Sequence, residues 1–163
     1  MMIIREAVIT DCNSIMKVLN SCILEETSFS ALTNPVKSLK EEEEFFLSLN
    51  EREVILVAQE AEVVGFTCLY GYSTIETMQH IGGVSTFIHA SARGRGIGTR
   101  LIEALEARGK ILGYEKLLAE VRKKNSAGVA FYESCGFSRI AELKNQVKLE
   151  GIYDDIVLME RFI

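Results

Sequence analysis

The residues best suited to chemistry lie where an apolar β-branched run gives way to a helical pattern: Ser85-Thr86-Phe87-Ile88, then His89 to Ala92, then Arg93-Gly94-Arg95-Gly96-Ile97-Gly98-Thr99. Three glycines in a strand-to-helix turn remove the Cβ atoms that hold a backbone away from a ligand, and they permit positive φ. The first N–H groups of the following helix have no intrahelical acceptor and point into the turn. Phosphate oxygens suit that arrangement, and Arg93 and Arg95 add positive charge. The turn is not a P-loop, which closes on Gly-Lys-Ser/Thr. Its G-x-G-x-G spacing and the lack of an acidic residue at a downstream strand end also separate it from the dinucleotide fingerprint.

Cys135 sits among apolar residues in a turn before Gly136-Phe137, with no histidine nearby, and reads as structural. His89 reads the same way, and His80 has a pKa suited to proton removal at neutral pH.

These groups need a scaffold. The 163 residues are 48% hydrophobic and 25% charged, with net charge −5; that is a globular chain long enough for one core. A single domain over residues 1–163 is expected. No apolar run approaches the roughly 18 residues of a membrane span, and no export signal opens the chain, so the cytoplasm is the expected compartment. Cys12, Cys22, Cys68 and Cys135 have no paired spacing and only two histidines to join them. They predict reduced core thiols and no metal site. The acidic balance argues against nucleic acid, yet nine Lys/Arg face only four Asp/Glu between Arg93 and Lys124. One basic segment sits in an acidic protein.

Periodicity predicts a strand over 3–9, a helix capped by Thr10-Asp11, a helix over 35–50 opened by Pro35, and a hairpin over 54–59 and 63–70. The Glu41 to Glu44 run reads as a solvated helix face. Next come a strand at 83–88, a helix over 98–112, a strand at 116–121 and a helix over 126–134. Two strands, at 137–143 and 153–159, close the chain. Strands interspersed with helices predict a mixed α/β (α+β) sheet. Gly82-Gly83 suggest a bulge or a close backbone approach.

Arg93-x-x-Gly96-x-Gly98 resembles the R/Q-x-x-G-x-G/A turn of the GNAT superfamily of acyl-CoA-dependent N-acetyltransferases. Leu118 to Phe137, with Asn125, Tyr132 and Gly136-Phe137, is similar to its strand–Asn–helix–Tyr–Gly-Phe run. The tail from Lys144 to Arg161 resembles enzymes acting on phosphinothricin and methionine sulfoximine, whereas Glu120 to Phe137 resembles ribosomal-protein alanine acetyltransferases. The resemblance implies a sheet of six to seven strands with about four helices and acetyl-CoA as cosubstrate. It implies that the backbone of Thr86, Phe87 and Ile88 binds the pantetheine arm, and that the amides of Arg93, Gly94, Arg95, Gly96, Ile97, Gly98 and Thr99 take the pyrophosphate. Asn125 would contact the cofactor, the Ile88 N–H would be the oxyanion donor, Tyr132 the general acid and Glu120 the base.

Many relatives carry a glutamate near the position of Gly82-Gly83; this chain has none there. The implied reaction is direct acetyl transfer to a primary amine of a small molecule such as an amino acid, polyamine or antibiotic-like amine. Residues 20–50 and the loop from Leu143 to Tyr153 would select the acceptor. A protein amino terminus or lysine is the alternative acceptor, and a non-catalytic acyl-CoA-binding module is the alternative of another class. Arg122, Lys123 and Lys124 read as solvated. The resemblance also suggests a homodimer through the carboxy-terminal strands, with a sticky edge at Phe162-Ile163.

Overall fold

The structure, a computed structural model, describes residues 1–25 and 37–163. The chain runs β1 (Ile3–Glu6), α1 (Cys12–Ile23), α2 (Leu39–Ser48), β2 (Val54–Gln59), β3 (Val63–Gly71) and β4 (Ile81–Ile88). It continues through α3 (Ile97–Ile111), β5 (Lys116–Arg122), α4 (Ser126–Ser134), β6 (Ser138–Leu149) and β7 (Ile152–Phe162). The strands form a seven-stranded sheet in the order β1-β2-β3-β4-β5-β7-β6. Among the described strands only β4 and β5 are parallel neighbours, joined across the sheet by α3. This is the expected mixed α/β sheet.

Period-2 strands buried on both faces need helices above and below. On one face Ile97, Leu101, Ile102 and Leu105 of α3 and Val129 and Tyr132 of α4 pack on Leu69, Leu117, Ala119 and Met159. On the other, Ile15, Val18 and Leu19 of α1 cover Ile55, Val57 and Phe66. All four cysteines are buried free thiols. No helix among the described residues is long and apolar enough to cross a membrane.

Several local expectations are corrected. β1 ends at Glu6, and Asp11 does not cap α1. Its carboxylate instead accepts two N–H groups from Arg5 at 2.7 and 2.8 Å and the Val8 N–H at 2.8 Å. The helix start expected at Pro35 lies outside the described residues. Within them Ser38 opens α2 by a capping box, its hydroxyl accepting from the Glu41 N–H while the Glu41 carboxylate accepts the Ser38 N–H. Gly82 and Gly83 form no bulge: register with β3 runs unbroken from Gly71↔Gly82 to Gly65↔Ile88. Glycine is required because a Cβ on Gly83 would lie 2.2 Å from the Tyr70 ring.

The segment 143–153 is strand rather than loop. Leu149 pairs with Ile152, so the reversal takes only Glu150 and Gly151, both at positive φ of 50° and 82°, as a type I′ turn demands. β7 lies between β5 and β6, so the sheet edge belongs to β6 and not to the strand ending in Phe162.

Candidate active site

The parallel pairing of β4 with β5 runs only from Ile81↔Lys116 to Val84↔Ala119. β5 continues alongside β7 as far as Arg122↔Ile156, and β4 continues alongside β3 as far as Ile88. The two central strands therefore diverge beyond Val84 and Ala119. The Tyr72 N–H donates to Ile81 O and the His89 N–H to Val64 O, in one unbroken register. Alternation then directs the backbone groups of residues 81, 83, 85 and 87 to β3 and those of Thr86 and Ile88 into the opening. The Ile88 carbonyl accepts from Arg93 Nε at 3.0 Å, and its N–H faces the gap. Phe87 contributes its ring, stacked on Phe66 at 5.1 Å, rather than free backbone.

At the mouth of the opening the chain passes through a single 3₁₀ turn (Ala90–Ala92), capped by His89, whose Nδ1 lies 2.8 Å from Ser91 Oγ. His89 is structural, as expected. Gly94 and Gly96 then take φ of 71° and 74°. A Cβ on either would meet no protein atom within 4 Å, so the turn fronts open space. The first helical bond of α3 runs from the Arg100 N–H to Gly96 O, leaving the amides of Ile97, Gly98 and Thr99 outside the helical ladder. A phosphate group fits this backbone cradle. Gly98 serves packing instead, since its Cβ would stand 2.7 Å from the Phe131 ring.

The arginine side chains do not face that space. Arg93 makes two bonds to Glu25, at 3.0 and 2.5 Å, and a contact to Cys22 Sγ at 3.5 Å, which ties the end of α1 to the end of β4. Arg95 pairs with Glu60. Arg122, expected in solvent, is buried and paired with Asp154 at 2.8 Å. Carboxylates from distant segments thus neutralise much of the basic segment, and the groups left facing the open space at the turn are backbone amides.

The opening widens into a cleft of about 720 Å³ lined by α2, β3, β4, β5 and α4. Tyr132, only 7% exposed, directs its hydroxyl to Thr86 Oγ1 at 3.4 Å, and Thr86 in turn meets Thr67 Oγ1 at 3.0 Å. Burial pushes the Tyr132 pKa well above its ordinary value. Glu120 is exposed on β5 and accepts from the Tyr72 hydroxyl at 3.2 Å. Burial and the neighbouring Glu120 charge raise the Tyr72 pKa, and burial drives Tyr70 up to about 12. Asn125 caps α4, its Oδ1 accepting the Gly128 N–H at 2.8 Å. His80 is exposed at the foot of β4 and does not line the cleft. Cys135 is buried, with its thiol pKa raised by desolvation. Among the described residues no group of three or more His, Cys, Asp and Glu is arranged to hold a metal ion.

Thr86, Ile88, Glu120, Asn125 and Tyr132 are therefore brought to one opening, with the glycine turn at its mouth. Glu42 and Tyr72 were not anticipated. The Glu41 to Glu44 run is not uniformly solvated: Glu42 is buried and lines the cleft. Its signal was its position, since residues 39, 42, 46 and 49 recur along one face of α2 and only Glu42 is charged among them.

Residues 20–137 match the acetyltransferase (GNAT) family. The chain belongs to that family. GNAT-family members are acyltransferases, and this chain is an enzyme of that class. It is 24% identical over 159 residues to the L-methionine sulfoximine/L-methionine sulfone acetyltransferase of Pseudomonas aeruginosa PAO1, spanning 96% of this chain and 92% of that one. It is also 24% identical over 107 residues to an L-amino acid N-acyltransferase of Escherichia coli K12, spanning 65% and 62% of the two chains. An N-acetyltransferase structure from Staphylococcus aureus Mu50 superposes with a TM-score of 0.90 at 25% identity, covering 99% and 98% of the two chains. A phosphinothricin acetyltransferase from Sinorhizobium meliloti, solved in complex with AcCoA, shares the fold with a TM-score of 0.89 at 21% identity, over 99% and 88%.

Proposed function

We propose that this GNAT enzyme transfers the acetyl group of acetyl-CoA to a primary amine of a small molecule by direct attack, without an acyl-enzyme. The observation that carries the reading is the divergence of β4 from β5, which leaves the Thr86 and Ile88 amides without a strand partner on the side where the Tyr132 hydroxyl meets Thr86. The named activities of the Pseudomonas and Escherichia relatives, both directed at amino-acid-like amines, support a small acceptor.

The amides of Ile97, Gly98 and Thr99, with the Gly94 to Gly96 turn, hold the pyrophosphate. Thr86 and Ile88 pair with the pantetheine arm as a further strand would. In the transfer the amine nitrogen bonds to the acetyl carbon as the C–S bond breaks. The Ile88 N–H stabilises charge on the carbonyl oxygen. Tyr132, kept protonated by burial, gives its proton to the departing sulfur. Glu120, held by Tyr72, accepts the proton lost by the amine directly or through water.

Thiol release from acetyl-CoA, measured with a panel of amino acids, polyamines, aminoglycosides and short peptides, tests this. Tyr132→Phe should lower kcat by about a hundredfold, within the range of general acid catalysis, and leave CoA affinity intact. Unchanged kcat in that variant removes Tyr132 from the mechanism. Absence of CoA binding to the parent protein refutes the whole reading.

A further inference from the structure

The inward face of α2 breaks the binary pattern expected of a packed helix. Phe46 and Leu49 pack on the core, yet Glu42, one helical step from Phe46, carries a carboxylate there and is only 5% exposed. It lines the cleft, where no hydrogen bond from a described residue reaches its carboxylate and the oxygens open onto the cleft rather than being sealed from it. A carboxylate so enclosed gains from a cation brought to it. The charge of Lys37 acts on Glu42 from a distance, and its closest carboxylate is Glu41 at 4.0 Å.

The remaining charges of the cleft point the same way. Glu41, Glu42, Glu53 and Glu120 line it against Lys37 and Arg122, and Arg122 is paired with the buried Asp154. Phe45, Tyr70 and Phe87 contribute apolar walls to the same cleft as Glu42 and Glu120. Such a cleft suits a hydrocarbon spacer with a positive charge at each end. It offers poor compensation for a carboxylate beside the reacting amine.

We propose that Glu42 binds a cationic nitrogen of the acceptor and that the acceptor class is diamines and polyamines without a carboxylate next to the amine. This rests on the acetyl-transfer reading above, with Glu120 serving the reacting nitrogen and Glu42 the distal one. The distal charge is then held by an ion pair screened from water, which favours diamines over monoamines of equal length.

The test compares 1,4-diaminobutane, 1-aminobutane and methionine sulfone as acceptors for the parent enzyme and Glu42→Gln. The parent should favour the diamine over both others by about tenfold or more in kcat/KM, the worth of one charge-assisted contact. Glu42→Gln should raise KM for the diamine by about tenfold with kcat nearly unchanged, leave 1-aminobutane as it was, and not lower the thermal midpoint. Preference for methionine sulfone, or equal loss of both amines in the variant, overturns the proposal. Calorimetric binding of the diamine to the two proteins, with and without CoA, decides the role of Glu42 separately. A parent protein that binds diamine through Glu42 but releases no thiol refutes acetyl transfer and not this site. Equal diamine affinity in the two proteins refutes the site alone.

Discussion

Replacing Gly96 by alanine separates the backbone's own strain from a ligand's need for space. Gly96 has φ of 74°, and a Cβ there would meet no protein atom within 4 Å. The protein alone therefore pays only the left-handed conformation, about 1–2 kcal/mol for a residue with a Cβ. Loss of unfolded-chain entropy offsets about 0.4–1 kcal/mol of that. The net cost is about 1 kcal/mol, which lowers the thermal midpoint by about 2–4 °C in a chain of this size. Gly113, between α3 and β5, provides the control: its φ is 84°, its surroundings are equally empty, and it is remote from the cleft lining. Gly113→Ala should destabilise by the same amount. If the phosphates sit on the amides before α3, the new methyl group in Gly96→Ala displaces at least one charge-assisted bond, about 1.5–3 kcal/mol, or roughly tenfold to a hundredfold in Kd for CoA. Thermal unfolding and calorimetric titration with CoA read the two quantities separately. Equal midpoints with CoA affinity unchanged in Gly96→Ala would refute the cradle, and so would an equal loss of affinity in Gly113→Ala.

Asp11→Asn removes the charge and one of the two oxygens of a carboxylate that accepts three hydrogen bonds and is held below its ordinary pKa, chiefly by the Arg5 guanidinium. A depressed folded pKa means that the unfolded chain binds more protons in the window between the two values. The stabilisation is complete above about pH 4 and fades as pH falls through the lowered folded value. Urea unfolding should show a loss of about 2 kcal/mol at pH 7, shrinking under acid. Gly98→Ala introduces no positive-φ strain but presses a methyl group onto the Phe131 ring, whose centroid lies 5.0 Å from that of Tyr132. The displaced ring should reposition the Tyr132 hydroxyl and lower kcat by about tenfold. The gain in helix propensity should hold stability within about 1 kcal/mol of the parent. A steady-state assay beside thermal unfolding checks both.

Much of the scaffold was legible because it is local. A β-branched run, three glycines and a helical period specify strand, turn and helix within about fifteen residues, and Gly94 and Gly96 take the positive φ that their type permits. α4 begins and ends where its pattern does, since Asn125 caps it from the adjacent position. The Glu150-Gly151 turn was equally local but follows a segment of mixed polarity, β6, which is exposed along nearly its whole length and so lacks a clean alternation. A strand covered on neither side leaves little periodic trace.

The sequence by itself determined the order of elements, the glycine turn with its positive φ and the presence of Tyr132, Asn125 and Glu120, because backbone conformation answers first to near neighbours. Only the tertiary structure decided which charges those elements meet. Arg93 and Arg95 read as ligands in sequence, yet Glu25 and Glu60 return from 68 and 35 residues away to take their guanidinium groups. Glu42 read as one of four solvated acids, yet the packing of α2 against α1 buries it alone of the four, beside Glu41 at the cleft. The separation of β4 from β5, which makes the cleft, has no residue signature of its own. Ion pairing and burial depend on where distant segments arrive, and that is settled by packing the whole chain at once.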